Sequence, residues 1–368
     1  MKNKLINTIG KAAAYLSAAI LFSLNASAQI NVKSDKGDLT VRFSGRTQLD
    51  AGAYIGYPGD YGIQLNDTRF AFNASNEKWS AKVEMCYTEK TASFRDAYIG
   101  YKLSDNSSLT FGNQWMPFGY KVYGAQYKFI DNGSLDNAIT PSRKIGASYT
   151  YWSDLFNIQA GVFSDGDVDT RALNNGYSAV AKFWFRPILS DNTVLHIAIA
   201  PSYTQSENSV SFTGLVPNTL VKDKAIASAK DTADYVFRGE AEVLFILDRF
   251  YAEARYQHAI ASLGDGKDDL VANGAFVQAS YILLGGEKQN YNKKTGLAQN
   301  PDAGSLELLA RFDRLNIANV GTLNESTVGV NYFFDKNVNL KLNYVHVDTD
   351  IAGFDAKNLV ESRLQFTF

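Results

Sequence analysis

The chain has 368 residues, 45% of them apolar and 13% aromatic, with 20% charged, seven prolines and one cysteine. Thirty-six basic against 38 acidic residues give a net charge of −2, so there is no basic surplus to hold a nucleic-acid backbone and nucleic acid is excluded as a partner. A lone cysteine, Cys86, excludes an intramolecular disulfide, a cysteine-based zinc site and an iron–sulfur cluster.

Residues 1–28 have the three parts of a secretory signal peptide. Lys2, Lys4 and Lys11 lie in a stretch without acids, Ala12 to Leu24 is apolar around Leu16, Ile20, Leu21 and Phe22, and Ala26-Ser27-Ala28 supplies a small-x-small cleavage pattern. The apolar part is shorter than the ~20 residues a membrane-spanning helix needs, which argues against an anchor. Cleavage after Ala28 is expected to leave 33 basic and 38 acidic residues, a net charge of −5, in one domain covering 29–368. Beyond Ala28 no stretch approaches 18 apolar residues, so a bilayer could be crossed only by strands.

From Leu39 onward the dominant hydrophobic period is two. Leu39, Val41, Phe43, Gly45, Thr47 and Leu49 alternate with Thr40, Arg42, Ser44, Arg46, Gln48 and Asp50. Trp79 to Tyr87, Tyr235 to Phe245, Leu306 to Asp313 and Val360 to Phe368 repeat the pattern. Sixteen such runs are predicted, near 39–54, 64–75, 79–88, 93–103, 108–116, 144–152, 155–163, 177–186, 193–204, 235–247, 250–259, 274–284, 305–314, 325–335, 338–347 and 359–368. They exceed the five or six residues usual in soluble strands and match the ~9–11 that a tilted strand needs to cross a bilayer. The expectation is an all-β fold, a transmembrane antiparallel barrel of about 16 strands.

Short turns, such as 76–78, 104–106, 153–154, 247–249 and 335–337, interleave with longer segments at 55–63, 117–143, 164–176, 205–234, 260–273 and 348–358. In outer-membrane barrels the short set is periplasmic and the long set faces outward. One connection breaks the alternation, because 285–304 is long yet falls on the short-turn side by parity. It is either an extended periplasmic segment or the sign of a miscounted strand. Tyr149, Tyr151, Trp152, Phe183, Phe185, Phe250, Tyr251, Tyr281, Tyr332 and Phe333 gather at strand ends, where membrane-interface girdles sit. The terminal Leu364-Gln365-Phe366-Thr367-Phe368 stops on an aromatic, a form suited to recognition by the barrel-assembly machinery.

Catalytic motifs are missing from the sequence: no G-x-S-x-G, Walker A, G-x-G-x-x-G or H-E-x-x-H pattern occurs. His196, His258 and His346 lie on separate predicted strands and receive no role. Asp165, Asp167 and Asp169 imitate the start of a calcium loop, but Thr170 stands where glycine is needed and Gly176 where glutamate is expected, so no metal or cofactor is expected. Sixteen strands leave a water-filled lumen open to small hydrophilic solutes and anions. By parity Arg42, Arg46, Arg69, Lys82, Lys182, Arg238, Arg255, Arg311, Lys341 and Arg363 face it, beside Asp50, Asp67, Glu84, Asp96, Glu240, Glu242, Glu253, Glu307, Asp313 and Glu361. The near balance argues against strong anion selectivity. From Pro117 to Lys144 the connection after the fifth strand carries Lys121, Lys128, Arg143 and Lys144 against Asp131 and Asp136, with Tyr120, Tyr123, Tyr127 and Phe129 interleaved. Either it folds inward as a mildly basic constriction or it holds these charges on its surface.

In FSGRTQLDAGAY (43–54), FRDAYIGYKL (94–103), LTFGNQWMPFGYK (109–121), KIGASYTYW (144–152), GVFSDGD (161–167), YILLGGE (281–287) and GSLELLARFDRLN (304–316) the chain resembles the phosphate-selective porin O and P family. Gly112, Pro117, Phe118 and Gly119, with the Glu307 and Arg311 pair, are the most specific pieces. The resemblance implies a trimeric sixteen-stranded outer-membrane porin with inward-folded third loops, and an arginine ladder plus lysines that bind phosphate. Arg42, Arg46 and Arg69 would be remnants of the ladder and Lys121 a constriction lysine. The balanced lumen departs from that cationic pattern, so the expected function is a general or weakly anion-preferring pore for passive diffusion, embedded in outer-membrane lipid. A non-channel adhesin or structural barrel, and a barrel-embedded hydrolase, are the alternatives. A TonB-dependent transporter does not fit, since about ten residues between the cleavage site and the first strand leave no room for a plug.

Overall fold

The computed structural model describes residues 29–34, 37–56, 61–88, 91–119, 128–165, 176–206, 208–216, 223–264, 266–351 and 356–368. Sixteen antiparallel strands close into one barrel, each paired with its neighbour in sequence. They are β1 Gly37–Tyr54, β2 Tyr61–Ser75, β3 Trp79–Thr88, β4 Thr91–Ser104, β5 Ser107–Trp115, β6 Arg143–Trp152, β7 Phe156–Ser164 and β8 Tyr177–Leu189. The second half comprises β9 Thr193–Gln205, β10 Tyr235–Leu247, β11 Phe250–Ser262, β12 Leu270–Leu284, β13 Leu306–Ile317, β14 Gly321–Phe333, β15 Val338–Thr349 and β16 Lys357–Thr367. Each predicted run coincides with a strand to within a few residues at its ends.

The barrel closes where β1 pairs with β16, from Arg46 opposite Thr367 to Tyr54 opposite Leu359. Closure leaves no edge, so each of the sixteen barrel strands finds backbone partners on both sides, as a low-dielectric membrane interior demands. At the seam Phe368 exchanges backbone hydrogen bonds with Gly45 at 2.9 and 3.0 Å. Its ring lies 5.6 Å from that of Phe43 and 5.7 Å from that of Phe366. A Cβ on Gly45 would come within 2.6 Å of this ring, so only glycine leaves space for it.

Alternation sends apolar side chains outward: Phe70, Phe72, Val83, Met85, Phe111, Val162, Ile199, Val277 and Val328 are all exposed on the outer wall. Tyr149, Phe183, Phe185, Phe250, Tyr281 and Tyr332 are exposed there too, as girdle positions require. Tyr251 and Phe333 correct the predicted girdle, since both are buried. They share parity with Glu253 and Asn331, which turns them inward. In β2 the parity itself changes. Gln48 pairs with Asp67 but Leu49 with Leu65, so Asn66 is an extra residue, and this bulge lets Leu65 and Phe70 both face out.

Several short elements escaped the period-two reading. An N-terminal strand, Gln29–Ser34, folds back on the start of β1. A six-residue helix, α1 Ser134–Ile139, lies in the connection after β5. Short strand pairs, Ser209–Val210 with Asp231–Thr232 and Thr213–Val216 with Asp223–Ala227, order part of the connection between β9 and β10. The strand count is sixteen with the 285–304 connection included, so no strand near it was miscounted; residues 285–305 form a long connection at the turn end of the barrel.

Candidate functional site: the barrel lumen

Two populations of lumen charge differ in exposure and, apart from Asp50 on β1, lie on opposite sides of the wall. On β1 to β6 a continuous chain of ion pairs runs across the strands. Asp67 on β2 is gripped by Arg46 at 2.5 Å and by Arg69 at 2.8 Å, and Arg69 reaches Glu84 on β3 at 3.1 Å. Lys82 bridges Glu84 at 2.9 Å and Asp96 on β4 at 2.7 Å, and Arg143 at the start of β6 closes the series on Asp96 at 2.6 Å. These side chains keep 10 to 21% of their surface accessible. Arg42, which precedes Ser44 and Arg46 on the same face of β1, is exposed.

The charges of the other half are shut off. Lys182, Glu240, Glu242, Arg255 and Glu253 on β8, β10 and β11 interlock at 2.7 to 3.1 Å with at most 4% of any side chain exposed. Arg363 clasps Asp50 with two bonds of 2.7 Å. Such buried pairs persist because each partner would otherwise be an uncompensated charge in a poorly solvated place.

Two connections contact the charges of this half. In the first, after β5, Lys128 ion-pairs with Glu307 on β13 and donates to Gln289 at 2.7 Å, and the Asn331 amide on β14 donates to the Lys128 carbonyl at 2.8 Å. Arg363 donates to the Ile130 carbonyl at 2.7 Å and Arg311 to that of Asp131 at 3.0 Å, its guanidinium 4.6 Å from the Phe129 ring. Burial pushes the Asp131 carboxyl up against the pull of Arg363. Helix α1 is held at its start by Asp313, which accepts from Leu135 N at 3.1 Å, and by Glu325, which accepts from the Ser134 hydroxyl. Leu135 and Ile139 join an apolar cluster with Phe212, Ile226, Leu315 and Val345.

The second is the 285–305 connection. Gly285 and Gly304, both at positive φ of 82° and 79°, make the tight neck through which it leaves and rejoins the barrel. Beyond the neck, Tyr291–Asn292 and Leu297–Ala298 pair as a small hairpin. Asn157 on β7 donates to the Lys293 carbonyl at 2.7 Å, and Lys293 pairs with Asp154 at 2.5 Å. Ala298 is buried with Val194, Leu244, Ile246 and Tyr251. Tyr291 bonds His196 Nδ1 at 2.9 Å, whose Nε2 lies 2.8 Å from Glu242. Burial pushes the Tyr291 phenol up to about 12, so it stays protonated and donates to Nδ1, leaving the Nε2–H for Glu242.

Of the residues singled out in the sequence, Arg46, Arg69 and Arg143 share the accessible chain, whereas Lys128, Glu307 and Arg311 belong to the buried half. Lys144 is separate from both, bonding the Asp165 side chain at 3.2 Å. Tyr120, Lys121 and Tyr123 lie outside the described residues, as do Asp167, Asp169 and Thr170 of the calcium-like loop. Sequence parity placed Asp67, Glu84 and Asp96 in the lumen but not in one chain with the arginines; strand register does that.

A closed sixteen-stranded barrel with an apolar outer wall and a charge-lined lumen defines an outer-membrane channel of the porin class. Residues 52–368 match the family described as phosphate-selective porin O and P, and the chain belongs to it. Among solved structures it is similar to OmpT of Vibrio cholerae, with 15% identity, a TM-score of 0.63, and 92% of this chain and 100% of that one covered. The outer membrane channel DcaP of Acinetobacter baumannii has 14% identity and a TM-score of 0.59, covering 92% and 99%. An anion-selective porin from Comamonas acidovorans has 11% identity and a TM-score of 0.59, covering 90% and 100%. At these identities the likeness is one of fold. No curated protein matches the chain.

Proposed function

We propose that this channel passes small hydrophilic solutes and ions by passive diffusion, without catalysis, along the β1–β6 side of the lumen, and that it prefers anions weakly. The observation that carries this reading is the segregation of charge. Arg46, Arg69, Lys82 and Arg143 face Asp67, Glu84 and Asp96 in an accessible chain, four cations against three anions. A permeating anion meets several weak, already partnered cations, which favours passage over retention. The connection after β5 acts as the inward-folded third loop and, with 285–305 on the periplasmic side, narrows the pore by occupying its other half. The family's name and the anion-selective porin from Comamonas acidovorans support the sign of the preference. Residues 1–28 are removed on export, and the terminal Phe368 strand serves recognition by the barrel-assembly machinery. OmpT of Vibrio cholerae is known in a trimer form, and a homotrimer is the assembly proposed here.

Refolded protein in planar bilayers tests the reading. A steady single-channel conductance with a reversal potential modestly on the anion side of a salt gradient is expected. Clear cation preference overturns the selectivity, and absence of conductance overturns the channel.

A further inference from the structure

At the turn end, between the β2–β7 wall and the inserted connection, lies a cavity of about 610 Å³. Its lining combines the indoles of Trp115 and Trp152 and the neutral polar groups of Gln114, Thr150 and Gln159 with three carboxylates, Glu77, Asp96 and Asp105. Of the other cations on or near it, Lys102 pairs with Asp105 at 2.6 Å, Lys78 is solvent-exposed in the turn between β2 and β3, and Arg143, stacked 4.3 Å above Trp115, is bound to Asp96. Lys294 differs. It projects from the connection with its ammonium 4.1 Å from the Trp152 ring centre, and among the described residues no carboxylate pairs with it. Its side chain is exposed at the rim of the cavity, and partial desolvation there lowers the affinity of the ammonium for its proton with no acid pulling the other way.

An unpaired cation resting on an aromatic face, beside amides and a hydroxyl, matches a ligand that is charged at one end and apolar along its body. A small inorganic anion meets only the charge, whereas a planar organic anion also buries its ring against indole. We propose that this cavity is a binding subsite for small organic anions with a planar apolar body, aromatic monocarboxylates being the simplest, with Lys294 taking the carboxylate and Trp152 the ring. The proposal rests on the channel reading above for the ligand's route to the cavity.

Tryptophan fluorescence of the refolded protein in detergent tests it without any need for conduction. Benzoate should give a saturable change, and acetate and benzamide, which lack the ring and the charge respectively, should bind at least about tenfold more weakly. Lys294→Gln should weaken benzoate about fivefold to tenfold and leave benzamide unchanged. Trp152→Leu should erase the advantage of benzoate over acetate, and heat-shifted gel mobility verifies that both variants are folded barrels. Equal binding of acetate and benzoate, or a Lys294→Gln protein that binds benzoate like the wild type, overturns the subsite. A conducting channel that ignores benzoate overturns the subsite alone, and a silent barrel that binds it overturns only the channel.

Discussion

Replacing Lys128 with methionine should loosen the connection after β5 without unfolding the barrel. The ammonium and its partner Glu307 have side chains 3% and 0% exposed, and removing one member of a buried pair costs about 3–5 kcal/mol. Glu307 keeps two neutral donors, the Ser280 hydroxyl at 2.7 Å and the Asn331 amide at 3.3 Å, and the introduced thioether chain would still fill apolar space beside Tyr251. Returning about 1 kcal/mol for those residual contacts leaves about 2–4 kcal/mol against the docked segment, a shift of about 30- to 900-fold in its docked-to-released ratio. The sixteen-strand ladder does not depend on this pair, so gel mobility and thermal unfolding of the barrel should change little. Single-channel recording is the assay: Lys128→Met should show excursions to a higher conductance level that the wild type rarely visits. Glu307→Gln should do the same, and the double variant less than the two effects summed, because the stranded partner is then gone. Traces indistinguishable from wild type in both single variants would refute the assignment of Lys128 as an anchor.

Asp67→Asn should shift the reversal potential toward anions, since it leaves four cations against two anions along the accessible chain and releases Arg46 and Arg69 from their shared partner; an unchanged potential would show that ions take another path. Shortening 287–303 to a two-residue turn between the Gly285 and Gly304 positions should raise conductance clearly, as it uncovers the β7–β11 side of the lumen, and size-exclusion of neutral polymers from the pore would measure the widening. Gly133→Ala places a methyl against the Asp313 carboxylate and should destabilise the docking of α1 by about 1–3 kcal/mol, seen as faster proteolysis within 128–142 in an intact barrel.

Much of the wall was legible because a membrane strand obeys one rule, alternation, over a length that little else requires. Asn66 was not, since a bulge adds one residue without altering composition, and only the register of β1 against β2 exposes it. Tyr251 and Phe333 were assigned by their position at strand ends, although parity with Glu253 and Asn331 already pointed them inward. The lumen charges were found one strand at a time, but which of them stay accessible depends on segments such as 128–142 and 285–305 that are distant in sequence. Nothing periodic marks those segments; their polar, glycine-containing composition suits a solvated loop equally well. Gln289, Tyr291 and Lys294 therefore went unnoticed, and the sole signal for them was the parity violation of an overlong turn.

The division of the wall into a packed half and an accessible strip also sets where this barrel can change over evolutionary time. A charge replaced among Lys182, Glu242 and Arg255 disturbs an interior as tightly interlocked as any soluble core, and selection against misfolding will reach it first. Along Arg46, Asp67, Arg69, Glu84 and Asp96 each side chain keeps 10 to 13% of its surface accessible and shares its partners, so a substitution there retunes the current at less cost to the fold. Diet and scaffold are thus under separate control, and a lineage could drift from one class of solute to another by rewriting one narrow strip.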